Sequence, residues 1–298
     1  MNEDIRIFQV DAFTQHAFTG NPAGVVLGAD ALSSQQMQQL ARELNNGDTV
    51  FALAANGTDH DLQARFFTPR TEAGFVGHAT LALHAVLTQI GGARTRRQKH
   101  RNGSATVLPV PGTTPTQFAI RQPPPLLGGA PEPTMLASVL QGLGLRPEQL
   151  DSRCPPQFAG ANNARLLLGV DNGASIAALR PDLAQLAQIS AAGGAAGYFI
   201  FTLAPQTRSD VESRMFCPAL GINEDPVSGN AHGMLAAYLL ARGLLSGLSL
   251  RGAQGHHMGR GGEVEIALTL RGSVLELLEI RGSALVLFEA RMSPGVLR

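Results

Sequence analysis

Arg65-Phe66-Phe67-Thr68-Pro69, followed by Gly77-His78-Ala79 and an apolar run, is answered by Arg214-Met215-Phe216-Cys217-Pro218, followed by Gly229-Asn230-Ala231 and a second apolar run. The two copies stand about 150 residues apart in a chain of 298. Each reads as a strand, a loop and a helix start, so the pattern is a duplicated unit and predicts two similar domains. The helices after Ala79 and Ala231 are apolar nearly all round, as a helix must be when a rolled sheet encloses it. Two glycine-rich helix starts facing a shared cleft are the expected consequence.

Other segments fall into the same order twice. Ile5 to Ala12 and Asn21 to Leu27 read as strands, with Asn162 to Leu168 as the later counterpart of the second. Met37, Leu40, Ala41 and Leu44 share one helical face, and Leu183, Leu186 and Ala187 repeat it. Strands are expected at 49–53, 62–67, 105–108, 117–120, 197–202 and 211–216. Helices are expected at 79–87, 135–143 and 231–240. The basic stretch from Gly91 to Arg101 reads as a solvated loop, and four strands follow near 248–254, 262–268, 272–280 and 284–291. Pro123-Pro124-Pro125 marks the connection. The expected class is therefore α+β, with two pseudo-symmetric domains. Each is a rolled, mostly antiparallel sheet around a central hydrophobic helix. The first spans 1–125, with a C-terminal strand near 284–298 as the candidate to complete it, and the second spans 126–283.

Composition excludes several functions. Lys plus Arg equals Asp plus Glu at 23 each, Trp is absent and Tyr numbers 2, so neither charge nor stacking surface favours nucleic acid. A hydrophobic content of 44% with 15% charged residues describes a packed chain rather than a disordered one. No stretch predicts a membrane span, and no signal peptide is visible, so the expected location is cytoplasmic. Cys154 and Cys217 have no metal or redox spacing. His78 with His84, and His256 with His257, lack metal-ligand geometry. No dinucleotide or phosphate-loop fingerprint occurs in strand–helix context. No metal and no cofactor are expected.

Chemistry concentrates at the helix starts. Asp225-Pro226-Val227-Ser228-Gly229-Asn230 precedes the second apolar helix, whose free N–H groups suit a ligand carboxylate. The same residues also satisfy an ordinary helix cap and Asp-Pro turn. His78 opens the first helix, where extra positive charge is disfavoured; it reads as a neutral proton-transfer group or as a polar core residue. Asp48, between Gly47 and the apolar Val50 and Phe51, reads as a general base of raised pKa or as turn chemistry. Asp11 and Asn21 form a polar rim beside the Gly20-Asn21-Pro22 turn, and Arg260 is a candidate for an anionic group.

With Asp11-Ala12-Phe13, Gly20-Asn21-Pro22-Ala23, Ala41-Arg42-Glu43-Leu44-Asn45, Arg65-Phe66-Phe67-Thr68-Pro69, Gly77-His78-Ala79, Arg214-Met215-Phe216, Glu224-Asp225-Pro226-Val227-Ser228-Gly229-Asn230-Ala231, Gln254-Gly255 and Gly259-Arg260, the chain resembles the PhzF-like phenazine-biosynthesis isomerases, within the diaminopimelate-epimerase-like fold. The resemblance spans almost the whole chain. It implies a homodimer and cofactor-free proton transfer at carbon on a small, carboxylate-bearing metabolite, such as trans-2,3-dihydro-3-hydroxyanthranilate. Catalysis falls to Asp48, His78 and Asp225. Substrate binding falls to Asn21, Gly77, Ser228, Gly229, Asn230, Gln254 and Gly255. Asp48 stands where the family carries a glutamate, and Asn230 where it carries a small hydroxyl residue. The alternatives are a binding protein that keeps the cleft without catalysis, and a two-cysteine epimerase or racemase.

Overall fold

The computed structural model describes residues 5–161 and 165–293. The expected match of Asn162-Asn163-Ala164 to Asn21-Pro22-Ala23, the first four residues, and the tail of the 284–298 segment past 293 lie outside them. The chain forms two compact units, Met1–Gln122 with Arg281–Arg298, and Pro123–Ile280.

The first unit contains β1 (Arg6–Ala12), β2 (Asn21–Leu27), α1 (Ser34–Leu44), β3 (Asp48–Ala54), β4 (Leu62–Phe67), β5 (Glu72–Ala73), α2 (Gly77–Gly91), β6 (Arg96–His100), β7 (Gly103–Pro109) and β8 (Gln117–Gln122). The second contains α3 (Pro133–Leu143), β9 (Gln157–Ala159), β10 (Arg165–Val170), α4 (Gly173–Ala178), α5 (Leu183–Ala191), β11 (Gly197–Thr202), β12 (Val211–Cys217), β13 (Ile222–Asp225), α6 (Gly229–Ala241), β14 (Ser249–Gln254) and β15 (Gly262–Arg271). A long strand, β16 (Val274–Arg291), begins in the second unit and ends in the first.

In the first unit the ladder runs β1-β2-β3-β4-β6-β7-β8-β16, and β16 pairs back onto β1, so eight strands close into a barrel. The return is antiparallel, from Arg6 opposite Arg291 to Ala12 opposite Ala284, with a bulge at Gln9/Val10. Period-two alternation turns Phe8, Val10, Ala23, Val25, Val50, Ala64 and Phe66 inward against Ala79, Ala82, Leu83 and Val86 of α2. The opposite face of β2, β3 and β4 is covered by Met37, Leu40, Ala41 and Leu44 of α1. That helix starts on a Ser33/Gln36 capping box and stops at Asn45 in the left-handed region.

In the second unit β15, β14, β12, β11, β10 and β9 follow one another, with β13 on β12. α6 packs on β14, β15 and β9. Val139, Leu143, Leu186, Leu166, Leu168, Tyr198 and Ile200 form a second layer where α3 and α5 cover the other sheet face.

Three expectations are corrected. The segment 91–101 is not a loop: α2 continues to Gly91, and Arg96–His100 is a strand beside β4 and β7. Its inward residues are polar for local reasons. Arg96 is buried and donates to the carbonyls of Leu87 and Gly92 at the end of α2, where the helix dipole favours a cation. Gln98 bonds to His84 and Thr80. The strands expected at 272–280 and 284–291 are one strand, carried through Gly282. The loops before both central helices hold two short strands, β5 and β13.

Gly282 admits the buried ring of Phe13, whose Cδ1 would lie 2.5 Å from a Cβ there, with Leu81 Cδ1 at 3.2 Å. Gly282→Ala should therefore lower the denaturant midpoint by the equivalent of about 1–3 kcal/mol, the usual effect of overpacking a filled core. An unchanged midpoint would show that this packing is loose.

Candidate active site

Asp48 is the first residue of β3 and pairs in register with Ala23 of β2. It therefore shares the inward face with Ala23 and Val50, at the end of the barrel where α2 begins. Asn21, two residues before Ala23 on the same face, is buried at that end as well. The His78 Nε2 atom lies 3.6 Å from Asp48 Oδ2, and both side chains are about nine-tenths buried. Among the described residues, His78 Nε2 makes no hydrogen bond. Burial pushes the imidazole down to about 4, so it is neutral at pH 7. Neutrality was expected from the helix start; the cause found is desolvation.

The helix start supplies the donors. Val76 is the N-cap of α2 and provides no side-chain cap, and Gly77 and His78 are the first helical residues. Their N–H groups cannot bond within the helix. In the second unit Ser228 is the N-cap of α6, and its hydroxyl accepts from the Ala231 N–H. Gly229 and Asn230 take the positions of Gly77 and His78.

Each helix start is delivered by a pinned loop. Arg65 forks onto Glu72 of β5 with Nε–Oε1 at 2.8 Å and Nη2–Oε2 at 2.9 Å. Arg214 forks onto Glu224 of β13 at 2.8 Å twice, and also donates to the carbonyls of Ile176 and Leu179. Planar guanidinium–carboxylate pairs of this kind fix geometry as well as charge. A second clamp comes from the neighbouring strand. The His100 ring lies against Phe75, tilted by 42° with centroids 4.6 Å apart, and bonds to the Gly74 backbone. Its counterpart Gln254 accepts from the Ser228 N–H at 3.1 Å and donates to the Asp225 carbonyl at 2.6 Å. Gly255 has φ +85°, and a Cβ there would meet the carbonyls of Pro226 and Arg260. Both residues thus hold the loop that carries Asp225 and Ser228, a structural duty that the spacing alone did not reveal.

Strand registers align the two units residue by residue. Phe51 opposes Arg65, and Ile200 opposes Arg214, so Asp48 corresponds to Gly197. Phe66 opposes Ala73, and Met215 opposes Asp225, so Asp225 corresponds to Ala73. His78 corresponds to Asn230. The space that a side chain at Gly197 would fill is taken by Cys217 Sγ and the Arg165 side chain. The Asp48–His78 pair therefore has no counterpart at the matching positions of the second unit, and Asp225 has none at the matching position of the first. Burial raises Cys217 to about 12 and Cys154 to about 11, so neither thiol ionises near neutral pH.

Other candidates have local duties. Asp11 is buried and accepts from the Phe18 N–H at 2.7 Å, which makes it loop scaffold. His257 lies 3.3 Å from Glu212, and the His84 Nε2 bonds to Gln98. Among the described residues, no cluster of three metal-ligating side chains is present, and no helix is long and apolar enough to cross a membrane.

A closed eight-stranded barrel around a buried apolar helix, followed by a second unit built around a like helix, is the diaminopimelate-epimerase-like fold. Residues 10–290 match the family described as phenazine biosynthesis-like protein, and the chain belongs to that family. It is 37% identical over 277 residues to YddE of Salmonella typhimurium, described as an uncharacterized isomerase, covering 89% of this chain and 91% of that protein. It is 34% identical over 269 residues to a protein of Clostridium acetobutylicum that is likewise described as an uncharacterized isomerase, covering 87% and 88%. A Bacillus anthracis phenazine biosynthesis protein of the PhzF family superposes with TM-score 0.86 at 24% identity over 98% of this chain and 99% of that one. A probable proline racemase from Agrobacterium radiobacter shares the fold at TM-score 0.63 and 13% identity, covering 97% and 93%. The protein is accordingly an isomerase in kind.

His78, His84 and His232 are all buried and all depressed from an ordinary value near 6.5 to about 4. Unfolding exposes them to protonation, so their contribution to stability is complete above pH 6.5 and is lost as pH falls toward 4. Between pH 6.5 and 5, where ordinary carboxylates stay ionised, stability should fall by up to about 1.4 kcal/mol per pH unit for each histidine. Denaturant titrations across that window measure this, and a flat profile contradicts neutral burial of the three rings.

Proposed function

We propose that the protein isomerises a small, carboxylate-bearing, cyclic metabolite by moving a proton between carbon atoms, with Asp48 as base and then acid. The observation that carries this reading is the buried Asp48–His78 pair at 3.6 Å, beside the uncapped start of α2. A carboxylate can lift a proton from carbon only if the developing charge is met, and first-turn N–H groups are suited to that. Gly77 would supply such an N–H group to a substrate carboxylate or enolate oxygen. Neutral His78 would hold Asp48 in place and donate or accept a hydrogen bond without adding charge. Asp225 is the carboxylate that the second unit carries at the position of Ala73.

The unequal equipment of the two halves favours a single proton carrier. A two-base racemase needs a proton-transfer group at each helix start, and the residues corresponding to Asp48 and His78 are Gly197 and Asn230. The two cysteines are buried and held protonated, which also speaks against a two-thiol mechanism. Asp48 is one methylene shorter than the family's glutamate. A base must come within about 2.6–3.2 Å of the proton it removes, so the substrate would sit closer to β3 than a glutamate requires.

Incubating the protein with cyclic amino and hydroxy acids in heavy water tests the reading. The wild type should place solvent deuterium on ring carbon of at least one of them, and Asp48→Asn should reduce the rate on the order of a hundredfold or more with the fold intact. Equal exchange in Asp48→Asn would remove Asp48 from the chemistry. Tight binding with no deuterium entry in the wild type would point instead to a binding protein.

A further inference from the structure

Behind each helix start lies a buried polar chain that the proposed chemistry does not use directly. In the first unit the Val76 carbonyl accepts two hydrogen bonds from one residue four positions on. The Thr80 N–H donates at 3.0 Å and the Thr80 hydroxyl at 2.9 Å. The Thr80 oxygen in turn accepts from Gln98 Nε2 at 3.3 Å, and Gln98 Oε1 accepts from His84 Nε2 at 3.2 Å. In the second unit the Ser228 carbonyl accepts from the His232 N–H at 3.2 Å and from His232 Nδ1 at 2.8 Å. A carbonyl can only accept, so Nδ1 carries the hydrogen, and Nε2 faces the Ser213 hydroxyl at 3.3 Å. Thr80, Gln98, His84, His232 and Ser213 are all fully buried.

The two chains are built from different residues at matching positions. Leu62 pairs with Gln98 in β6, and Val211 with Gly252 in β14, so Gln98 corresponds to Gly252 and Ala64 to Ser213. Thr80 and His232 both stand four residues after the N-cap. The first unit spends its volume on Gln98 and keeps Thr80 short. The second spends it on the His232 ring and keeps Gly252 bare; a Cβ at Gly252 would fall on that ring. Different side chains reach one result, a doubly held N-cap carbonyl.

That result has a consequence on the far side of the same peptide plane. The Val76 carbonyl and the Gly77 N–H belong to one trans peptide and point in opposite directions. Two donors on the carbonyl fix the plane and polarise the N–H. They aim the Gly77 N–H out of the helix, at the barrel end where His78 Nε2 lies buried without a hydrogen bond. Val76 and Ser228 adopt similar extended backbones, φ −135° and −112°, so the Gly229 N–H is held alike. We propose that Thr80 and His232 are positioning residues, which lock and polarise the glycine N–H that receives the substrate's anionic oxygen. This rests on the isomerase reading for the identity of the oxygen, but the locked peptide stands apart from it.

The test reads the amide itself, without ligand. In protein labelled with ¹⁵N-glycine, the one-bond N–H dipolar coupling and ¹⁵N shift of Gly77 and Gly229 report the orientation and polarisation of these two planes. Thr80→Val, nearly isosteric, should move the Gly77 signals and leave the other α2 glycine, Gly91, as in the wild type, while Thr80→Ser should restore them. Unchanged Gly77 signals in a folded Thr80→Val protein overturn the proposal. The second half supplies an independent variant. His232→Thr with Gly252→Gln installs the first unit's Thr–Gln pair and should keep the Gly229 signals; a displaced Gly229 coupling in that folded double variant overturns the equivalence. On any cyclic acid that the wild type deuterates, Thr80→Val should lower kcat on the order of tenfold with little change in KM, and an unchanged kcat would also count against the positioning role. If the wild type deuterates none, the isomerase reading fails while the amide measurements still decide the locking.

Discussion

A helix enclosed by sheet has few places to put polar groups, and its first turn is the one that cannot be made apolar. The N–H groups there have no partner inside the helix and must meet water, a side chain or a ligand. α2 and α6 are buried along most of their length, so their starts are where each unit opens. The rest of each unit serves that opening. Arg65–Glu72 and Arg214–Glu224 pin the approaching loops, His100 and Gln254 clamp them from the side, and buried polar residues hold the last carbonyl before the helix.

The two units share this scaffold and divide the chemistry. Where the first has Asp48 and His78, the second has Gly197 and Asn230; where the second has Asp225, the first has Ala73. Duplication explains the shared frame, since both copies must bury an apolar helix in the same way. Buried positions differ as well, as the exchange of Thr80 and Gln98 for His232 and Gly252 shows.

Much of the frame was legible because it has a period. Alternation marked β4, and the shared face of Met37, Leu40, Ala41 and Leu44 marked α1. The failures have physical causes. β6 reads as a charged loop because its inward residues, Arg96 and Gln98, answer local polar needs: the end of α2 and the hydroxyl of Thr80. β5 and β13 are too short to carry a pattern. Gly282 looked like a break in the last strand, but it is the place where the Phe13 ring passes.

Local sequence by itself determined the duplication, the two apolar helices and the glycines at their starts, because each follows from period, propensity and backbone freedom within a few residues. It also placed Asp48 at the head of a strand and His78 in the first turn of a helix. Only the tertiary structure decided that these two, thirty positions apart, approach within 3.6 Å, that burial keeps the histidine neutral, and that Asp48 has no counterpart in the second unit. Those facts depend on strand register and barrel closure, which are set by long-range pairing such as β16 on β1, and no local window contains that information.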